Sequence, residues 1–289
     1  VDFYFSAVLL GLAFCSMGFG IYISLRIFNI PDITTDGSYT LGAAVTATLL
    51  LKSVSLPWIF LSVIAAGSLA GAATGLIHTR FKIQPLLAGI LVMTSLYSVN
   101  INVMGRSNLP LTGTPKITDV FSSIPSSQTQ WFLLLIAVTL AMILFLSWLL
   151  KTDFGISMRA TGNSEEMIRS LGVNTQNMKV IGLALANAFT AVSGFLVCQF
   201  QQFSDINMGI GIVIFGLGSV IMGEALLSRM PMQSIAVRLI GVVIGCIIFR
   251  LIIAVALQLG IDPNWLKLVT AVIVLLVVGI PNLRQVKLI

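Results

Sequence analysis

Few side chains in this chain of 289 residues could do chemistry, and their types narrow what that chemistry is. His78 is the only histidine. Cys15, Cys198 and Cys246 sit inside apolar runs at no metal-ligand spacing and read as small buried hydrophobes. No nucleophile–base pair or metal set emerges, so no catalytic residue, metal or cofactor is expected. The chain has no GxxxxGK[ST] stretch and cannot bind ATP through a P-loop of its own. The remaining polar residues gather in three places. Asp32, Asp36 and Ser38 lie in NIPDITTDGSYTLGA (29–43), Asp205 and Gly209 in QQFSDINMGIGIVIFGLGS (201–219), and many charges in KTDFGISMRATGNSEEMIRSLGVNTQNM (151–178). Such residues suit helix caps, a polar wall and a docking surface. That is equipment for moving a solute rather than transforming one.

The elements that position these residues must lie in lipid. Of the chain, 57% is apolar and only 9% charged, where a soluble domain carries about 25% charge. That leaves too little polar surface for a water-soluble globule. A transmembrane helix needs about 20 apolar residues. Nine segments qualify or nearly qualify: 4–26, 37–52, 56–79, 83–104, 130–150, 179–200, 207–228, 234–257 and 264–282. An all-α polytopic fold in one transmembrane domain over 1–289 is expected, with the second and seventh segments short or broken. Pro31 disfavours helix before it, and Asp36 or Ser38 can cap the helix that follows.

Charge orients the spans. With 151–178 on the cytoplasmic side, 11 of the 16 Lys and Arg fall inside and 4 outside, while Arg250 stays within a span. The N-terminus is then outside and the C-terminus inside. Trp58, Trp131 and Trp265 fall at the outer interface and Trp148 at the inner one. The net charge of +6 thus reflects basic cytoplasmic loops, not nucleic-acid binding. Arg250 is unusual inside a span and needs a partner, a wet cavity or a route to the outer surface. Glu224 is expected to pair with Arg238.

Two sets of segments share a layout: 1–104 and 179–282, joined by a span at 130–150 and the 151–178 loop. Asp32 and Asp205 open the two breaks, with Gly37 and Gly209 following. The sets are offset by five spans, so they form an inverted repeat, common in transporters. Gly67, Gly71 and Gly75 make a double GxxxG, echoed by Gly241 and Gly245, which suits close helix packing or a subunit interface. Thr94, Tyr97 and Ser98 share one face of the fourth span and suit a polar wall. With Asp36, Ser38 and Gly209 they are the candidate translocation path.

Within 151–178 a short helix is expected over 164–171. Ser164 stands at the N-cap, Glu165 and Glu166 follow, Gly172 stops it, and Met167, Ile168 and Leu171 share a side. A protein partner suits it better than lipid, since it carries one Arg against two Glu.

The stretch RATGNSEEMIRSLGVNTQNMKVIGLALANAFTAVSG (159–194) resembles the signature of permease subunits of bacterial ATP-binding-cassette importers serving branched-chain amino acids and ribose. Arg159, Ala160, Gly162, Leu171, Gly172 and Asn174 match the loop pattern. Ser170 stands where many members carry Ala, and Ser164 where many carry Asn. PDITTDGSYTLGAAVTA (31–47) and RFKIQPLLAGILVMTSLYSVNINVMGR (80–106) look closer still to an amino-acid-associated branch. The resemblance implies that the loop couples to the ATPase, through Arg159, Asn163, Ser164, Glu165, Glu166, Met167, Arg169 and Ser170. It also implies a second permease copy, a cytoplasmic ATPase pair, an extracellular solute-binding protein and a bacterial plasma (inner) membrane. The expected function is the permease of an ATP-driven importer, with an amino acid as first choice. The alternative is an ion-coupled secondary transporter, which the inverted repeat also allows.

Overall fold

The structure, a computed structural model, describes residues 2–121, 126–227, 234–262 and 265–286. Arg229 and Lys287 from the charge count lie outside the described residues, as does the side chain of Arg284. The helices are α1 (Asp2–Ile21), extended by a π-helical turn over Tyr22–Ile27, α2 (Thr34–Leu51), α3 (Leu56–Arg80), α4 (Pro85–Met104), α5 (Ser127–Leu149), α6 (Asp153–Asn163), α7 (Glu165–Ser170), α8 (Thr175–Gln201), α9 (Ile212–Leu227), α10 (Ile235–Gln258) and α11 (Leu266–Val286). The fold is all-α as expected, with one short ladder beside the helices. β1 (Asn108–Pro110) pairs antiparallel with β2 (Phe203–Asp205), Leu109 opposite Ser204. This ladder ties the long α4–α5 connection to the break after α8 and satisfies backbone groups of both.

Among the described residues six helices are long and apolar enough to cross a membrane: α1 with its π turn, α3, α4, α5, α8 and α10. The sequence predicts nine spans, and the other three fall on α2, α9 and α11. α2 has 18 residues, interleaved with threonine and serine. α9 has 16 residues, about 24 Å against a hydrocarbon core of about 30 Å. In α11 the apolar stretch described in full is Leu266–Leu276.

Burial decides which helices are central. The most apolar windows of α1 and α8 are 83% and 78% buried, and those of α4 and α5 only 28%. Apolar side chains on α1 and α8 therefore face protein, and those on α4 and α5 face outward, where Leu140, Leu144 and Leu91 are exposed. Of the tryptophans, Trp58, Trp148 and Trp265 are exposed. Trp131 is buried, its ring centroid 5.3 Å from that of Phe200, so it packs in the core instead of facing an interface.

Small residues let the central helices meet their neighbours. α3 runs antiparallel to α8, with Gly67 against Asn187 and Ala188, Gly71 against Leu183 and Gly75 against Val180. α1 runs antiparallel to α10 in the same manner, Gly11 against Ile247 and Gly18 against Val242. Gly241 and Gly245 receive α9 at Gly223 and Ser219. All these glycines serve packing within the chain. At the 151–178 end, Arg26 pairs with Glu224 of α9. This corrects the expected Glu224–Arg238 pair: the π turn brings Arg26 to α9, while Arg238 lies at the Tyr22 hydroxyl.

A Cβ at Gly71 would overlap the backbone of Leu183. Gly71→Leu is therefore expected to lower the melting temperature of the detergent-purified protein, at a cost of about 1–3 kcal/mol or more. Leu69→Phe on the exposed side of the same helix should leave the melt unchanged.

Candidate functional site

The 151–178 segment folds as two helices. α6 begins at Thr152, whose Oγ1 accepts from the Gly155 amide at 3.3 Å. α7 is a separate turn and a half, Glu165–Ser170. Ser164 is the residue between them, but its side chain makes no capping bond; its carbonyl accepts from Ile168 instead. Ser164 is thus a bend rather than a side-chain cap. Glu165 anchors α7 to α8. It accepts from Arg169 at 2.8 Å, from Thr175 Oγ1 at 3.1 Å and from the Lys179 ammonium. Burial pushes its carboxyl upward, but the bonds to Lys179 and Thr175 and the charges of Lys179 and Arg169 outweigh that and hold it below the ordinary glutamate value.

With Glu165 tied down, the rest of α7 divides cleanly. Ile168 is buried, while Met167 and Leu171 project with 53% and 72% exposure. The expected trio on one side is thus a pair, one turn apart, with Ile168 as the inward anchor. Glu166, Arg159 and Asn163 are exposed, and Ser170 Oγ donates to the Met167 carbonyl at 2.7 Å. α6 rests on the end of the first span. Asn29 donates to the Gly162 carbonyl at 3.0 Å, and a Cβ at Gly162 would overlap Ile27.

The two breaks meet inside the bundle. Asp32 Oδ1 accepts from the Thr34 amide at 2.9 Å, and Asp205 Oδ1 accepts from the Asn207 amide at 2.8 Å. The same acid-to-second-amide bond opens both breaks. Asp36 does not cap its own helix. Its Oδ2 accepts from the Gly211 amide at 2.9 Å and its Oδ1 from the Val213 amide at 2.8 Å, so it caps the N-terminus of α9. The reason is position: Asp36 lies two residues inside α2, past its first free amide, which Asp32 has already taken. Gly209 packs against the Asp36 carbonyl and Thr40.

Behind this junction Asn187, in the middle of α8, donates to Asp32 Oδ2 at 2.7 Å and accepts from Ser38 Oγ at 2.7 Å. Thr34 meets Thr74 of α3 at 2.7 Å. Asp32, Ser38 and Asn187 are all buried.

A cavity of about 690 Å³ opens on the other side of the junction, walled by α1, α2, α9, α10 and α11. Phe14, Tyr39, Phe215, Asp205, Gly211, Arg250 and Lys267 line it. Arg250 is half-buried at the cavity wall and finds no acid. Its guanidinium carbon lies 5.3 Å from the Phe14 ring centroid, and it forms no salt bridge among the described residues. Insertion of such a group costs about 2.5–3.5 kcal/mol, which a cation–π contact of about 0.5–2 kcal/mol offsets only in part.

A family described as "Branched-chain amino acid transport system / permease component" matches residues 3–278. The chain belongs to this family. Among its relatives is the "Tyrosine transport system permease protein" of Clostridioides difficile (strain R20291), 36% identical over 268 residues, covering 93% of this chain and 88% of that one. The "Galactofuranose transporter permease protein YtfT" of Escherichia coli (strain K12) is 27% identical, over 89% of this chain and 73% of that one. The "Galactose/methyl galactoside import permease protein MglC" of Haemophilus influenzae is 24% identical over 91% and 81%. The chain is accordingly a multi-pass membrane permease subunit, and the ion-coupled alternative falls away.

Within this permease the expected residues separate into four groups. Arg159 through Ser170 form one unit on α6 and α7. Asp36 and Gly209 come together at the helix junction. Ser38 is fully buried and serves an interhelix bond. Thr94, Tyr97 and Ser98 stand on the exposed face of α4, opposite Val92, Leu96 and Asn100, which pack inward. Sequence reasoning passed over Asn187 and Tyr39. An amide inside the apolar run of 180–200 was the available signal for the first.

Because Glu165 is depressed when folded, its contribution to stability is complete above the ordinary value of 4.5 and is lost as pH falls through the lower folded value. The melting-temperature gap between the wild type and Glu165→Gln is expected to stay constant from pH 7 to about 5 and to close below the ordinary glutamate range.

Proposed function

We propose that this permease is the translocating subunit of an ATP-driven amino-acid importer. In this reading it works as a homodimer, with an ATPase pair against α6 and α7 and an extracellular binding protein at the opposite end. The observation that carries the reading is the α6–α7 unit. Glu165 clamps it to α8, and Met167 and Leu171 stand out as an apolar knob beside Glu166 and Arg159. A rigid knob on a charged rim suits a groove on a motor subunit and suits lipid poorly. The choice of an amino acid rests on the tyrosine permease relative.

The inverted repeat belongs to the same reading. α1 packs on α10 as α8 packs on α3, and α2 and α9 both start inside the bundle behind an aspartate. Two copies would place the exposed Thr94, Tyr97 and Ser98 face at a shared wall with closed two-fold symmetry, weakly polar so that solute leaves again. Asp36 and Gly209 then act as the gate layer above the α6–α7 end.

Met167→Asp is expected to keep the complex assembled and its ATPase active while reducing solute uptake at least tenfold in proteoliposomes. Full uptake by that variant would reject the coupling assignment. Bulky substitution at Ser98 should block uptake with dimerisation and basal ATPase intact.

Orientation is tested by thiol labelling. The native cysteines are all buried, so Ser126→Cys should react with an impermeant maleimide on intact cells and Asn177→Cys only after permeabilisation. The reverse pattern would place α6 and α7 outside and overturn the function with it.

A further inference from the structure

We propose that the 690 Å³ cavity is a solute site in which Arg250 and Tyr39 bind the carboxylate of an α-amino acid whose side chain is apolar or aromatic. This rests on the amino-acid importer reading and names the chemistry of the solute it moves.

Three observations converge. First, Arg250 faces the cavity with no acid beside it and no hydrogen bond among the described residues. Lys267, the other cation of the wall, is close enough to Asp36 to act on its charge, so the unmatched cation is Arg250. Second, Tyr39 lines the same cavity and its hydroxyl makes no hydrogen bond among the described residues, which leaves it free to donate to an anion seated at Arg250. Third, aromatic rings stand beside these two groups, in a wall that also carries Gln201, Asp205, Asn207, Lys267 and Thr270. Phe14 stacks on Tyr39 with centroids 5.9 Å apart, and Phe14 and Phe215 are 4.9 Å apart.

A planar guanidinium with a phenol donor beside it is a carboxylate receptor. Sugars offer no such group, so a site of this kind separates this chain from permeases of neutral solutes. Gly211 and Ile212 form one border of the cavity, and the Asp36 cap holds them. The solute would therefore wait directly against the junction of α2 and α9.

The test uses the assembled transporter, with its own ATPase and binding protein, in proteoliposomes. Uptake of each of the twenty amino acids is measured for the wild type, Arg250→Gln, Arg250→Lys and Tyr39→Phe, together with basal ATPase activity and melting temperature. The expected result is uptake of at least one amino acid, reduced tenfold or more in Arg250→Gln and partly restored in Arg250→Lys. Tyr39→Phe should be intermediate, and basal ATPase and melting temperature should stay near wild type in all. A second arm removes the charge from the solute: for the wild type the carboxamide of the transported amino acid should compete poorly, and for Arg250→Gln as well as the acid. Uptake by Arg250→Gln within twofold of wild type would overturn the site and leave the importer reading standing. Equal competition by acid and carboxamide on the wild type would do the same. Uptake of no amino acid by the wild type would overturn the importer reading and this site together.

Discussion

A helix that starts inside a membrane leaves amide groups with no water to bond, and hydrocarbon offers none in exchange. α2 and α9 both start inside the bundle, away from water. Asp32 meets the first free amide of α2, and Asp36 meets two amides at the start of α9. Because Asp36 belongs to α2, its one carboxylate fastens the two interrupted helices to each other at their N-termini. The positive ends of both helix dipoles face this carboxylate pair, which adds electrostatic attraction to the hydrogen bonds. Much of the surrounding arrangement follows. Asn187 is needed to orient Asp32, Ser38 to orient Asn187, and Gly42, Gly194 and Gly209 to let the backbones come near enough for these short polar side chains to reach.

The same constraint gives the α6–α7 unit something to act on. α6 holds Asn29, three residues before Asp32 in the chain. α7 is tied through Glu165 to Thr175 and Lys179 at the start of α8, the helix that carries Asn187. Two short bonded routes therefore lead from the docking knob to one aspartate. Neither passes through a flexible linker, since Thr175–Gln201 is a single helix and the 28–33 segment is packed between α8 and α4. On the proposed coupling, a rigid displacement of α7 reaches the helix junction as displacement rather than dissipating in side-chain motion.

How much of this could be read beforehand varies with the range of the interaction. Gly67, Gly71 and Gly75 announce a close helix approach by spacing alone, but only the structure shows that the partner is α8. The two breaks are legible from Pro31, Gly37, Asp205 and Gly209, because broken helicity is local chemistry. The local sequence offers Asp36 or Ser38 as a cap for their own helix, yet Asp36 caps one 175 residues away; no local pattern encodes that. α6 was missed for the opposite reason. DFGISMRATGN contains two glycines, two β-branched residues and little helix propensity, and it is held by packing of Gly155 and Gly162 against Leu149 and Ile27. Ser164 looked like an N-cap because serine before two glutamates usually is one. Here the two helices abut, and the residue between them is fixed by backbone bonds at both sides.

Arg250 differs in charge from the other polar groups around the junction. Asp32 has Thr34 and Asn187, Asp36 has Gly211 and Val213, and Ser38 has Asn187, while the buried atoms left without a partner among the described residues, such as Asn100 Oδ1 and Gln199 Nε2, are neutral. A guanidinium with only an aromatic face for company stands apart from that pattern, in a span where an unmatched charge is costly. A structural role would be served better by an acid within reach or by an apolar residue of the same size. Retaining the charge makes sense if its partner arrives and departs. A resident carboxylate would hold Arg250 shut, whereas a travelling one is bound while the junction below is closed and released when the junction parts.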